Sequence, residues 1–151
     1  MNYFLSFIII SPFLTFLHEL GHASLALILT NSNVILKLGN FNKKNFFEVK
    51  IKRLHIKIYN FSQGMGRVYF NNNNLNKTKQ MVIILAGPLT NIIVSCISLF
   101  ISKYYNNFLY ISLFSLGGFF ATIIPLKYPK FFGGYVGLKS DAYQLIELIN
   151  N

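Results

Sequence analysis

His18, Glu19 and His22 lie in the stretch FLTFLHELGHASLALI, Phe13 to Ile28, and fit the pattern H-E-x-x-H. On a helix, two histidines four residues apart stand one above the other on one face. Both imidazoles can then point at a single metal ion, with the glutamate beside it. The surroundings sharpen this reading, because the rest of the stretch is oily enough to span a membrane. An ionisable side chain in hydrocarbon costs about 2.5 to 3.5 kcal/mol on insertion scales. Hydrocarbon also offers no water to satisfy its polar atoms. A bound metal ion is a partner that would repay that placement.

A catalytic zinc ion takes three protein ligands and keeps a fourth position open. Besides Glu19 the chain has three acids, Glu48, Asp141 and Glu147. Glu48 falls in a strand-like segment and Glu147 in the last turns of the tail. Asp141 follows Ser140 in LKSDAYQL, where a serine cap and the helix dipole favour an acid on structural grounds alone. Spacing leaves the third ligand open among them. The single cysteine, Cys96, sits in an apolar run and reads as a small buried hydrophobe, so neither a disulfide framework nor a cysteine metal knuckle is available.

The elements that must carry these residues are mainly apolar helices. At 151 residues the chain suits one domain, 1–151; 53% of it is hydrophobic and only 12% charged, a balance foreign to ordinary soluble domains. Three apolar runs, Tyr3 to Leu29, Met81 to Ser102 and about Phe108 to Leu126, approach the roughly 20 residues a spanning helix needs. The first lacks the basic n-region of a signal peptide and is read as a retained helix. Between the first two runs, FFEVKIKRLHIKIYNF alternates apolar and polar residues with a slip at Lys52 and Arg53, a strand pattern with a bulge. SQGMGRVYF adds a glycine turn and a further short strand, and the asparagines from Asn71 to Asn74 a polar loop. His55 belongs to the strand's polar face. The fold class expected is therefore a mainly α, polytopic membrane protein with three transmembrane helices. A small strand or hairpin region separates the first two, and a re-entrant loop and a short helix follow the third.

The net charge of +10 fits that topology. Ten of the fourteen basic residues fall between Asn31 and Gln80 and three after Leu126, which places thirteen on one side of a three-span chain. By the positive-inside rule that side is the cytoplasm and the N-terminus lies outside. Topology accounts for the charge, so no nucleic-acid partner is expected. Heavy use of Asn, Ile, Lys, Phe and Tyr suggests an AT-rich bacterial source.

Three motifs in order, HELGHA in one span, AGPLTN in the next, and IIP followed by SDA after the third, resemble the site-2 proteases, zinc metalloproteases that cut peptide bonds within the membrane. The resemblance frames nearly the whole chain. It implies zinc held by His18, His22 and Asp141, Glu19 as the catalytic base, and Asn91 reaching in to hold the substrate backbone or the developing oxyanion. It further implies a membrane peptide or protein as substrate. Thr122 stands where the family has asparagine, and Ala142 where it has glycine. These departures keep a second expectation open, an inactive relative that binds a membrane peptide or acts in immunity or regulation; a zinc carrier is a third. Oligomeric state is not legible.

Overall fold

The chain enters on α1 (Tyr3–Leu29), a helix of 27 residues and hence about 40 Å long. The computed structural model describes residues 3–40, 46–59, 65–72, 75–128 and 137–150. α2 (Lys77–Ser102) starts one turn before the apolar run, because Asn76 caps it by accepting the Lys79 N–H at 2.9 Å. AGPLTN consequently lies in the interior of α2 rather than at its opening. α3 (Asn107–Ile123) has 17 residues, about 26 Å, and ends short of the expected Leu126. Ile124 is extended there, as a residue preceding proline prefers. Two helices among the described residues are thus long and apolar enough to cross a membrane, and the third apolar run forms a shorter helix. α4 (Asp141–Asn150) closes the described chain.

The bundle is polar within and apolar without. On α2 the outward stripe Leu85, Leu89, Ile93, Ile97 and Phe100 is exposed, up to 62% at Phe100, whereas Asn91, Ser95 and Ser98 are buried. Ser95 donates to the Ser112 carbonyl at 3.1 Å and Ser115 to the Asn91 carbonyl at 2.8 Å, joining α2 to α3 through small polar side chains. Cys96 corrects its sequence reading. It lies on the exposed side of α2, one residue past buried Ser95 on the turning helix.

Between α1 and α2 lie β1 (Val34–Leu38), β2 (Phe46–Ile51), β3 (Leu54–Tyr59) and β4 (Gly66–Tyr69), in the sheet order β2-β3-β1-β4. β1 is parallel to β3 and antiparallel to β4. Val34 and Leu36 are fully buried and meet Ala23 and Ala26 of α1 and Ile83 of α2, so the sheet rests on the end of the helix pair. The expected bulge is instead a hairpin turn. β2 and β3 pair antiparallel from Ile51 opposite Leu54, and Lys52 takes φ 52°, the left-handed geometry that reverses the chain in two residues. A reversal keeps Val49 and Ile51 on the same face as Leu54, Ile56 and Ile58, which along one strand looked like a slip. Arg53 at the tip reaches back to α1, donating to the Thr30 carbonyl at 2.6 Å and the Leu27 carbonyl at 2.9 Å. It supplies a cation and two donors to a helix end that has no basic residue of its own. Of the turn and loop read from sequence, residues 60–64, 73 and 74 lie outside the described residues.

Candidate metal centre

His18 and His22 occupy one face of α1, their rings edge to face with centroids 4.8 Å apart and their Nε2 atoms separated by 3.1 Å. His22 Nδ1–H donates to the Ile83 carbonyl of α2 at 2.8 Å. A carbonyl can only accept, so that contact puts a proton on Nδ1 and turns Nε2 toward His18, the position from which a neutral imidazole offers its lone pair to an ion. Asp141, in the first turn of α4, closes the triangle. Its Oδ2 lies 3.1 Å from His18 Nε2 and its Oδ1 3.5 Å from His22 Nε2.

Those separations meet a simple test. Donors bound at about 2.0 to 2.1 Å in tetrahedral array lie about 3.3 Å from one another; the two Nε2 atoms are 3.1 Å apart, each imidazole has its own carboxylate oxygen at 3.1 or 3.5 Å, and one donor atom from each residue lies within 4.8 Å of the others. Asp141 Oδ2 and His18 Nδ1 are buried without a hydrogen-bond partner among the described residues. An ion between the imidazoles would satisfy Asp141 Oδ2, which otherwise carries an uncompensated desolvation cost; His18 Nδ1 lies on the ring edge away from that point. The three side chains are also the only described group of His, Cys, Asp and Glu whose donor atoms converge closely enough to hold a metal ion. The residues present fit such an ion.

Two glycines make room for this geometry. A Cβ on Gly87 would stand 2.2 Å from His22 Nε2 and 2.7 Å from His18 Cε1, so only a bare backbone lets α2 lie against both imidazoles. A Cβ on Gly66 of β4 would stand 2.3 Å from Glu19 Cγ, which brings the edge strand of the sheet directly against the glutamate. Gly66 was not singled out from sequence. For Gly87 the available signal was its place in AGPLTN.

A cavity of about 510 Å³ joins His18, Glu19, His22 and Asp141 to Asn91, Arg67, Thr122 and Tyr128. Asn91 is buried along its wall, with Gly118 of α3 so close that a Cβ there would stand 3.2 Å from Asn91 Nδ2. Burial pushes the Asp141 carboxyl up, but the imidazoles of His18 and His22 beside it outweigh burial and hold the group below the usual carboxylate range. Burial, then the charges of Asp141 and Glu19, push the Tyr128 hydroxyl above its ordinary value. It therefore stays protonated and able to donate. Tyr128 was not legible as a site residue.

The other acids stand elsewhere. Glu48 lies on the outer sheet face within 3.6 Å of Lys50, His55 and Lys57, and Glu147 pairs with Lys139. His55 is on that polar face as read. Of the expected re-entrant segment, residues 129–136 lie outside the described residues; its ends are joined, Tyr128 N–H donating to the Leu138 carbonyl at 2.9 Å and Gly137 N–H to the Tyr128 carbonyl at 3.0 Å. Comparison with protein-family models and with curated proteins finds no match to this chain.

Proposed function

We propose that the chain is an intramembrane zinc metalloendopeptidase of the site-2 type, hydrolysing a peptide bond of a membrane-spanning or membrane-associated peptide. One observation carries the reading. His18, His22 and Asp141 converge, with Glu19 on the same cavity wall, inside helices whose outer surface is apolar. An outward stripe of leucine, isoleucine and phenylalanine over buried serine and asparagine suits hydrocarbon better than water. α3 serves as a third span; at about 26 Å against about 30 Å of hydrocarbon it is short by an amount local bilayer thinning accommodates. The basic segment and Asp141 then share the cytoplasmic side. Leu20, at the centre of the motif, lies nine residues before the end of α1, so the site is about 14 Å deep.

A zinc ion bound by His18, His22 and Asp141 would supply Lewis acidity, polarising a carbonyl and making water a stronger acid. The remaining chemistry belongs to the chain's own groups. Glu19 accepts a proton from the attacking water as oxygen bonds to the scissile carbon. It returns that proton to the departing amide nitrogen as the C–N bond breaks, and the new carboxylic acid gives its own proton to the amine, so the products are a carboxylate and an ammonium group. Asn91, and Tyr128 as a second donor, line the space where the former carbonyl oxygen gathers charge. β4 is an edge strand against Glu19, which suits a substrate added as a further strand. Extension matters here because a helical substrate hides its peptide bonds.

Glu19 separates this reading from an inactive peptide-binding relative or a zinc carrier, since neither needs a general base. The test is cleavage of a reconstituted library of single-span peptides by wild type and Glu19→Gln. Cleavage lost in the variant while zinc is retained supports the reading, and equal cleavage, or none by the zinc-loaded wild type, contradicts it.

A further inference from the structure

Ser140 precedes the third ligand, is 3% exposed, and spends every hydrogen-bonding valence of its hydroxyl. It donates to the Ile124 carbonyl at 2.8 Å, accepts the Leu126 N–H at 3.0 Å and accepts the Tyr143 N–H at 3.3 Å. A hydroxyl has one proton and two lone pairs, so nothing is left over. The backbone repeats the link: Ser140 N–H donates to the Leu126 carbonyl at 2.9 Å, and the Ser140 carbonyl accepts Gln144 N–H at 3.0 Å as the first turn of α4. Lys127 and Lys139 form a β-bridge beside it. Pro125, between the two residues bonded by the hydroxyl, has no N–H of its own.

An ordinary N-cap serine needs only the bond to the helix N–H. Ser140 makes two more, both to the chain leaving α3; α3 is joined to α2 through Asn91 and Ser95, and α2 holds the His22 ring through the Ile83 carbonyl. We propose that Ser140 is a positioning residue for Asp141, tying the start of α4 to the exit of α3 so that the carboxylate is held against His18 and His22. The inference rests on the metal centre read above. Only a side chain that is at once donor and double acceptor serves, which singles out Ser and Thr. Metal geometry tolerates about 0.2 Å of error in ligand distance, so a freed helix start lowers metal affinity before it unfolds anything.

The experiment compares Zn2+ affinity, by competition with a chromophoric chelator, for the full chain in detergent as wild type, Ser140→Gly, Ser140→Ala, Ser140→Thr and Asp141→Ala. Circular dichroism of each metal-free protein is recorded alongside. Glycine caps helices nearly as well as serine, so Ser140→Gly removes the side-chain bonds to Ile124 and Leu126 while keeping the cap and the backbone link. Affinity is expected to fall about 10- to 100-fold in the Gly and Ala variants, the range for lost outer-shell partners. It should recover to within about threefold in Ser140→Thr, with metal-free helicity unchanged throughout. Wild-type affinity in Ser140→Gly or Ser140→Ala, or a loss in Ser140→Thr equal to theirs, overturns the positioning role while leaving the centre intact. Undiminished affinity in Asp141→Ala removes the centre itself. If the Gly and Ala variants do not fold, the Thr variant still decides through the visible spectrum of bound Co2+, which must match wild type.

Discussion

Replacing Gly87 by alanine adds one methyl group to the most crowded face of the centre. That carbon would stand 2.2 Å from His22 Nε2, 2.5 Å from His22 Cε1 and 2.7 Å from His18 Cε1. Ordinary contact begins near 3.4 Å, so the His22 ring must retreat by more than 1 Å. It cannot turn aside cheaply, because its Nδ1 is anchored on Ile83 of the same helix and Nε2 faces His18 and Asp141. A shift of that size is several times the 0.2 Å tolerance of a metal bond. Zinc affinity should fall at least 100-fold, about 2.7 kcal/mol at 1.36 kcal/mol per decade. Gly117→Ala is the matched control, since its Cβ would meet nothing within 4 Å; alanine there gains about 0.5 to 1 kcal/mol of helix propensity. The assay is chelator competition for Zn2+ on both variants, with circular dichroism to show that the helices persist. Wild-type affinity in Gly87→Ala, or an equal loss in Gly117→Ala, would refute the reasoning.

Three further outcomes follow from the same geometry. Arg53→Ala removes two donors and a cation from the end of α1 and should cost about 2 kcal/mol. A domain of this size would show it as a fall of roughly 4 to 8 °C in melting midpoint in detergent, and an unchanged midpoint would count against the cap. Zinc affinity should fall as the pH is lowered from 7.5 to 5.5, because protons compete with the metal for the imidazole nitrogens. Asp141, held below the usual carboxylate range, stays ionised there and adds no slope; a flat titration between pH 7.5 and 5.5 would argue against histidine ligands. Glu19→Gln should keep zinc and lose at least 100-fold in cleavage rate, read by mass spectrometry of a reconstituted peptide.

That His18 and His22 share a face was legible because helical spacing is local: four residues fix which side chains stand together, whatever the rest of the chain does. The apolar extent of α1 was legible for the same reason. β1 was missed because Ile35 breaks the polar alternation of VILKL, and its pairing with β3 is parallel and joined across β2. The hairpin at Lys52 and Arg53 lacks the Asn-Gly signal of a two-residue turn; Arg53 is instead suited to the carbonyls of Leu27 and Thr30, contacts no local pattern encodes. Asp141 could be named only with the resemblance, since its approach to the histidines runs through Ser140 and the exit of α3. Gly66 and Gly87 carry no chemistry of their own, and their role appears only where another element comes against them.

The most direct test of the central claim is the zinc content of the purified chain measured by inductively coupled plasma mass spectrometry for wild type, His18→Ala, His22→Ala and Asp141→Ala after dialysis against a weak chelator. One equivalent in the wild type and little in each variant is the expected result, because two protein ligands rarely retain a catalytic zinc. A full equivalent retained in any one of the three variants, or none in the wild type under zinc-replete conditions, would contradict a centre built from His18, His22 and Asp141.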